Sequence, residues 1–292
     1  MIGEKTNIMN NYYFKKKKVD EILDKIKSGL IKDKKIIEDA FKLDYKEWEY
    51  EVNFEKIIGQ IDFIKEKEYL PKFSKEKIVD GFGKIALVCN QNPYIIFNFV
   101  LSCIYTNNKA EIVLENKMIA TNKILLESVK KTLKSVKVED DTVTYIELNN
   151  SEDIVSKQDD YDLIYYCGNK STYLNFTKRI HIDSKFEEFG EINLYTDSKE
   201  YKDYIVEIDK WAYLNEIKVN FYNLSLDETI KEMNKLNNID KITVIFSKDL
   251  DKIAKFIKDV KTGKVYVNRS PITEYKFETD LNNLVYTKKV VW

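Results

Sequence analysis

Along residues 1–70, apolar positions recur at helical spacing. Val19, Ile22, Leu23, Ile26 and Leu30 form one stripe, Ile36, Ile37, Ala40 and Phe41 a second, and Phe54, Ile57, Ile58, Ile61 and Ile64 a third. Lysines and acids fill the opposite sides, so the pattern predicts three amphipathic helices. Pro71 and the polar stretch up to Gly81 and Gly83 interrupt it, and the apolar run Ile85–Cys89 reads as a buried strand. Beyond it the period alternates. A helix begins near Pro93, followed by a strand at Ala110–Leu114, a helix at Thr121–Leu133, and strands at Val143–Leu148 and Leu163–Cys167. The alternation resumes with strands at Ile192–Tyr195, Ile217–Tyr222, Ile242–Phe246 and Val265–Val267, separated by helices through Tyr213, from Asp227, and over Asp249–Val260. The β-prone run Leu284–Trp292 closes the chain. Strands separated by crossover helices predict an α/β protein with a doubly wound, mainly parallel sheet, whose ligands would sit at the carboxyl ends of the strands.

Composition narrows the function classes. The 292 residues carry 48 Lys+Arg against 49 Asp+Glu, a formal net charge of -1, so no overall field favours nucleic acid or an anionic membrane. The basic run Lys15–Lys18 reads as a solvated helix start rather than a phosphate surface. The three cysteines, Cys89, Cys103 and Cys167, are far apart and without paired spacing. That argues against a disulfide framework or a metal site and suits a reducing cytoplasm. No signal-type leader is visible, and no run approaches the roughly 20 apolar residues of a membrane helix, so a cytoplasmic location is expected.

Candidate chemistry is sparse. A dinucleotide-binding strand normally turns into its helix through Gly-x-Gly-x-x-Gly, because glycine lets backbone amides approach a pyrophosphate. Here the first strand ends in Cys89-Asn90-Gln91-Asn92-Pro93-Tyr94, which reads either as a capped helix start or as a ligand contact through Asn92 and Pro93. His181, the only histidine, lies in Arg179-Ile180-His181-Ile182, which reads as a strand and builds no catalytic triad. Trp48, Trp211, Trp292 and the tyrosines read as packing residues.

The order of the pieces resembles the aldehyde dehydrogenase superfamily, including its acyl-CoA and fatty-acid reductase branch. Gly83–Val88, Asn92-Pro93, an apolar helix, then Asn107–Leu114 and a further helix look like the first half of that family's coenzyme domain. Asp162–Gly168 is similar to its strand ending in a glycine beside the nicotinamide, and Glu188-Phe189-Gly190 stands where it has its general-base glutamate. Asp227–Ile230, Ile242–Lys258 and Gly263–Asn268 match its late strand-helix-strand run, and Tyr286–Val291 its closing strand. The resemblance implies an N-terminal helical segment at 1–82, a Rossmann-like domain at 83–213, a remnant of a catalytic domain at 214–278 and a tail strand at 279–292.

It also exposes departures. Glu115 stands where the family has a lysine on the adenine ribose, and Ala212 falls near its glutamate on the nicotinamide ribose. The region between Gly190 and Ile217 is too short for the block holding the nucleophilic cysteine, and Tyr275–Glu278 replaces a glycine-rich turn. Acyl transfer needs a thiolate and an oxyanion-stabilising group. The residual candidates are Cys167 and Glu188 for catalysis and Asn92, Pro93 and Gly168 for cofactor contact, with no metal site. The expectation is a catalytically degenerate binding or partner subunit. The alternatives are an NAD(P)-dependent aldehyde or acyl-CoA oxidoreductase with a site rearranged around Cys167 or Cys89, and a structural oligomerisation module. Expected partners are a second copy of the chain or a full-length relative, met through the tail strand, which otherwise pairs within its own chain or frays.

Overall fold

A computed structural model describes every residue except 1, 49–51, 68–76, 116, 169, 189–190, 215–216, 236–241, 273–278 and 290–292. Three helices open the chain: α1 (Ile2–Lys32), α2 (Lys34–Trp48) and α3 (Phe54–Glu66). Most of the anticipated stripes are their buried faces, with Leu23, Ile26 and Leu30, then Ile37, Ala40 and Phe41, then Ile57, Ile61 and Ile64 turned inward, whereas Ile36, expected on the second stripe, is exposed. Lys15–Lys18 lies inside α1 rather than at a helix start. No proline or glycine interrupts the chain between Glu4 and Ser28, and Lys16 is tied one turn on to Asp20 at 3.2 Å.

The remaining elements are β1 (Lys77–Gly81), β2 (Lys84–Val88), α4 (Pro93–Tyr105), β3 (Lys109–Leu114), α5 (Ile119–Ser135), β4 (Val143–Glu147), β5 (Leu163–Gly168), α6 (Lys170–Thr177), β6 (Ser184–Glu188), β7 (Ile192–Thr196), α7 (Lys202–Leu214), β8 (Val219–Tyr222), α8 (Leu226–Lys235), β9 (Ile242–Phe246), α9 (Leu250–Asp259), β10 (Lys264–Val267) and β11 (Val285–Lys289). They divide into two compact units, one of residues 1–167, 171–187 and 277–292, the other of residues 168–170 and 188–276.

In the first unit the strand order is β4-β3-β2-β5-β6, with β2 parallel to both β3 and β5 and β3 parallel to β4. The chain winds outward from β2 to β4 and returns to the other side of β2, which leaves a switch point at the carboxyl ends of β2 and β5. One sheet face is packed by Ala86, Val88, Val113, Ile164 and Tyr166 against Ile154, Tyr161 and Phe176. Strand alternation turns Leu87, Ile112 and Tyr165 to the other face, where Phe99 of α4 meets Tyr165 with ring centroids 5.3 Å apart. Helix α4 is apolar nearly all round because it lies between the sheet and α3.

The second unit is a sheet in the order β10-β9-β7-β8, all pairs parallel. Tyr195 and Ile245 pack on Ile230, Met233, Ile253 and Phe256 of α8 and α9. Strand β7, grouped by sequence with residues 83–213, belongs here because it pairs in register with Val219–Tyr222 and Ile242–Phe246. The break between the units therefore falls at Glu187/Glu188, upstream of residue 213.

Arg179–Ile182 is not a strand. The His181 backbone N–H donates to Gln158 Oε1 at 2.8 Å and its ring bonds Asp159 at 2.8 Å, so side chains of the 3-10 turn Ser151–Asp160 hold it instead of a sheet ladder. Strands β1 and β6 and helix α6 carry too weak a pattern to be read from sequence. Strand β1 receives the tail within the chain, antiparallel, from Lys77 opposite Lys289 to Gly81 opposite Val285. At Gly81 a Cβ would lie 2.6 Å from Asn108 Oδ1 and 2.8 Å from the Thr106 carbonyl, so the ribbon approaches α4's end as only glycine allows. Among the described residues no helix is long and apolar enough to cross a membrane.

Candidate functional site

The switch point is the place where this architecture would accept a ligand, and its lining begins with the turn after β2. Gln91 takes a left-handed conformation, φ 67, although its side chain is fully buried. Its Nε2 donates to the Cys89 carbonyl at 3.2 Å and to the Val113 carbonyl at 2.9 Å, and its own carbonyl accepts from Asn122 Nδ2 at 2.9 Å. The Gln91 side-chain amide thus ties the end of β2 to the end of β3, and its backbone carbonyl ties the same turn to α5. Asn92 is the N-cap of α4, its Oδ1 accepting from the Tyr94 N–H at 2.8 Å, and Pro93 occupies the first helical turn. Tyr94 turns away from the edge, with its hydroxyl accepting from the Asn53 N–H at 2.7 Å.

The next helix, α5, has no side-chain cap of its own. Met118 stands at its N-cap with φ 49. The acceptor comes from another element: the buried carboxylate of Asp44, on α2, receives the Thr121 N–H at 2.7 Å. Asp44 follows Ile37, Ala40 and Phe41 on the buried stripe of α2, at the i+7 position from Ile37. An acid on an apolar stripe was the readable sign that it serves an interior partner. Glu115, just beyond β3, is half-buried, and Ala212 is buried in α7 of the second unit.

All three cysteines are buried and none is in a disulfide. Burial pushes the Cys103 thiol well above its ordinary value. Cys167, at the end of β5, is raised by burial first and then by the carboxylate of Glu187 and by Cys89. The register that sets Val88 opposite Tyr166 brings Cys89 beside Cys167 on the neighbouring strand. Gly168 ends β5 with φ 157, at the limit of the glycine-favouring region. Glu188 ends β6, and its side chain lies outside the described residues.

Its neighbour Glu187, which sequence reading passed over, does face the cysteine. Glu187 Oε2 accepts from the Tyr165 hydroxyl at 2.7 Å and from Cys167 Sγ at 3.8 Å. Strand alternation accounts for this, since Phe186 packs on the opposite face with Tyr166 and Tyr173. Burial is the main force that pushes Glu187 up, to about 7, and the Asp280 carboxylate adds to it. A thiol beside a half-ionised carboxyl gains no stabilisation of its thiolate, the opposite of the electropositive setting that activates cysteine.

A second buried carboxylate contrasts with it. Glu111 in β3 accepts from Tyr161 and from Thr144 at 2.8 Å and pairs with Lys84 at 3.3 Å. Burial raises it, but these partners outweigh burial and hold it below the usual carboxylate value. Among the described residues no group of three His, Cys, Asp or Glu is placed to hold a metal ion.

No family model matches the chain, and no curated protein does. Solved structures do. A gamma-glutamyl phosphate reductase from Thermotoga maritima is 12% identical, the match covering 94% of this chain and 93% of that one with a TM-score of 0.59. A glyceraldehyde-3-phosphate dehydrogenase from Methanocaldococcus jannaschii, solved with NADP, is 12% identical over 94% of this chain and 89% of that one, with a TM-score of 0.65. A propionaldehyde dehydrogenase from Clostridium phytofermentans is 11% identical over 95% and 93%, with a TM-score of 0.62. The chain has the aldehyde dehydrogenase-like fold. At such identities the likeness extends to the fold, and what an aldehyde dehydrogenase-like chain does depends on its own side chains.

The Asp44 cap yields a direct test. Asp44→Ala leaves the Thr121 N–H buried without an acceptor and should lower stability by about 1–3 kcal/mol, whereas Asp44→Asn should retain most of it. Urea denaturation of the two variants measures the difference, and equal midpoints for Asp44→Ala and the parent would remove Asp44 from this role.

Proposed function

We propose that this aldehyde dehydrogenase-like chain acts by binding, as a partner or sensor subunit, and not by nicotinamide-dependent turnover. The observation that supports the reading is that both helix N-termini at the sheet's carboxyl edge are capped by the chain's own side chains. Helix N-termini bind phosphate through unpaired backbone donors. One such donor at each helix goes to the chain's own side chains, the Tyr94 N–H of α4 to Asn92 and the Thr121 N–H of α5 to Asp44. Glu115 at the end of β3 adds a carboxylate where a dinucleotide would bring phosphate, a repulsion rather than a contact. These residues do not fit NAD or NADP.

The first test is calorimetric titration of the intact protein with NAD and with NADP. Loss of one charge-assisted ribose contact, at Glu115, corresponds to roughly 10- to 100-fold in affinity, and the expected dissociation constants lie above about 10 μM. A value below that would overturn the reading.

The contact between Cys167 and Glu187 favours one rival, an oxidoreductase with a rearranged site, in which Glu187 would take the thiol proton. The raised Cys167 thiol speaks against it. Iodoacetamide at neutral pH should therefore alkylate all three cysteines slowly in the folded protein and readily in urea. Fast stoichiometric labelling of Cys167, together with turnover of a nicotinamide cofactor with aldehyde or acyl-CoA, would establish the rival.

A binding role calls for a partner surface, and we place it on the β1–β11 ribbon. Among the described residues this sheet has two strands, so each can offer an outer edge to a further strand from a second copy or a full-length relative. Deleting the residues after Asn283 should lower the mass seen by light scattering while circular dichroism retains its helical signal. A monomer across micromolar concentrations, or an oligomer that survives the deletion, would exclude the tail from self-assembly.

A further inference from the structure

Helix α3 carries Glu55, Ile58, Gly59 and Asp62 at the i, i+3, i+4 and i+7 positions of one face. Opposite that face stand Lys27 and Ile31 of α1 and Lys34, the first residue of α2. The groove between them encloses a cavity of about 390 Å³, within the range of small-molecule sites. An ion pair spans it at each end, Lys27 with Asp62 at 2.7 Å and Lys34 with Glu55 at 2.9 Å. Its middle is apolar. Ile58 is buried, the Phe54 ring lies under Lys34 Nζ at 4.9 Å, and Ile31 remains 52% exposed.

Gly59 is the residue in this groove that packing does not explain. It lies inside α3, where glycine is a poorer helix former than any residue but proline. Glycine is required where the backbone is left-handed or where another group comes close. Neither holds here: the backbone is helical, and a Cβ at Gly59 would meet nothing within 4 Å. Its effect is to leave the cavity lined by Ile31 and Ile58 unfilled.

We propose that this groove binds a short apolar peptide with free termini, about three residues long. The length follows from the two acids. Glu55 and Asp62 stand seven residues apart on α3, roughly 10 Å along its axis, which is the span of about three extended residues. The free termini follow from charge. The four charges of the groove sum to zero, and a zwitterion keeps that sum, whereas a dicarboxylate would leave two acids uncompensated and a diamine two lysines. Ion pairs as exposed as these contribute little, so the peptide's carboxylate can take the lysine of one pair and its ammonium the acid of the other. Each end carries both signs, so the groove accepts either direction. None of the lining residues belongs to the sheet's carboxyl edge, so the site stands whether or not that edge binds a cofactor.

The probe is trileucine with free termini, titrated into the intact protein while NMR follows the Gly59 amide and the methyl groups of Ile31 and Ile58. Saturable shifts are expected at all three residues. Acetylating the amino end of the peptide, or amidating its carboxyl end, should each weaken binding about tenfold, because each removes one charge-assisted contact. Gly59→Leu fills the cavity from a position with room for the side chain, and it should abolish the shifts at Ile31 and Ile58 while circular dichroism retains the helical signal. No saturation up to about 5 mM trileucine, equal binding of free and blocked peptides, or undiminished binding to Gly59→Leu would overturn the proposal. If Gly59→Leu does not fold, the comparison of free and blocked peptides on the parent decides it.

Discussion

Two helix N-termini stand at the carboxyl edge of the five-stranded sheet, and their backbone donors need acceptors whether or not a ligand is present. The arrangement around this edge follows from where the acceptors come from. Asn92 serves α4 from the adjoining turn, and Asp44 reaches α5 from α2. The second contact makes the N-terminal helices part of the edge, because α2 cannot move without uncovering the start of α5. Gln91, in a strained left-handed conformation, bridges the ends of β2 and β3 through the Cys89 and Val113 carbonyls. Not every polar group at this edge is satisfied: among the described residues Asn90 Nδ2, Gln91 Oε1, Thr121 Oγ1 and Asn122 Oδ1 are buried and make no hydrogen bond.

The two buried carboxylates on this sheet show how local partners set opposite behaviour from one residue type. Glu111 has Lys84, Tyr161 and Thr144 about it and is held ionised. Its contribution is present above its ordinary value and lost as pH falls through the lowered one. Glu187 has hydroxyl and thiol donors, but burial first and then the Asp280 carboxylate push it up to about 7.

Much of the fold was legible because the core elements are strongly periodic. The stripes of α1 to α3, the runs of β2, β3 and β5 and the alternation after residue 190 all appear at the expected places. The elements missed are those whose order comes from distant partners. Strand β1 reads as a polar linker until β11 pairs with it, and Arg179–Ile182 looks like a strand until Gln158 and Asp159 claim its hydrogen bonds. The site divided in the same way. Asn92 and Pro93 could be read as a capped helix start from their spacing, and that is their geometry. Glu187 was overlooked beside Glu188 because the choice between neighbouring acids is made by which face of β6 meets Tyr165, a register set by the sheet and not by the residues themselves.

Capping of the two helix starts by Asn92 and Asp44 is tested most directly at the amides concerned. Backbone NMR resonances of Tyr94, Thr121 and Asn122 should stay unmoved as NADP is added to about 1 mM, well beyond the range of specific cofactor binding. Saturable shifts at those amides, with Thr121 changing its hydrogen-bond partner, would show that the cofactor displaces Asn92 and Asp44, and would contradict the account.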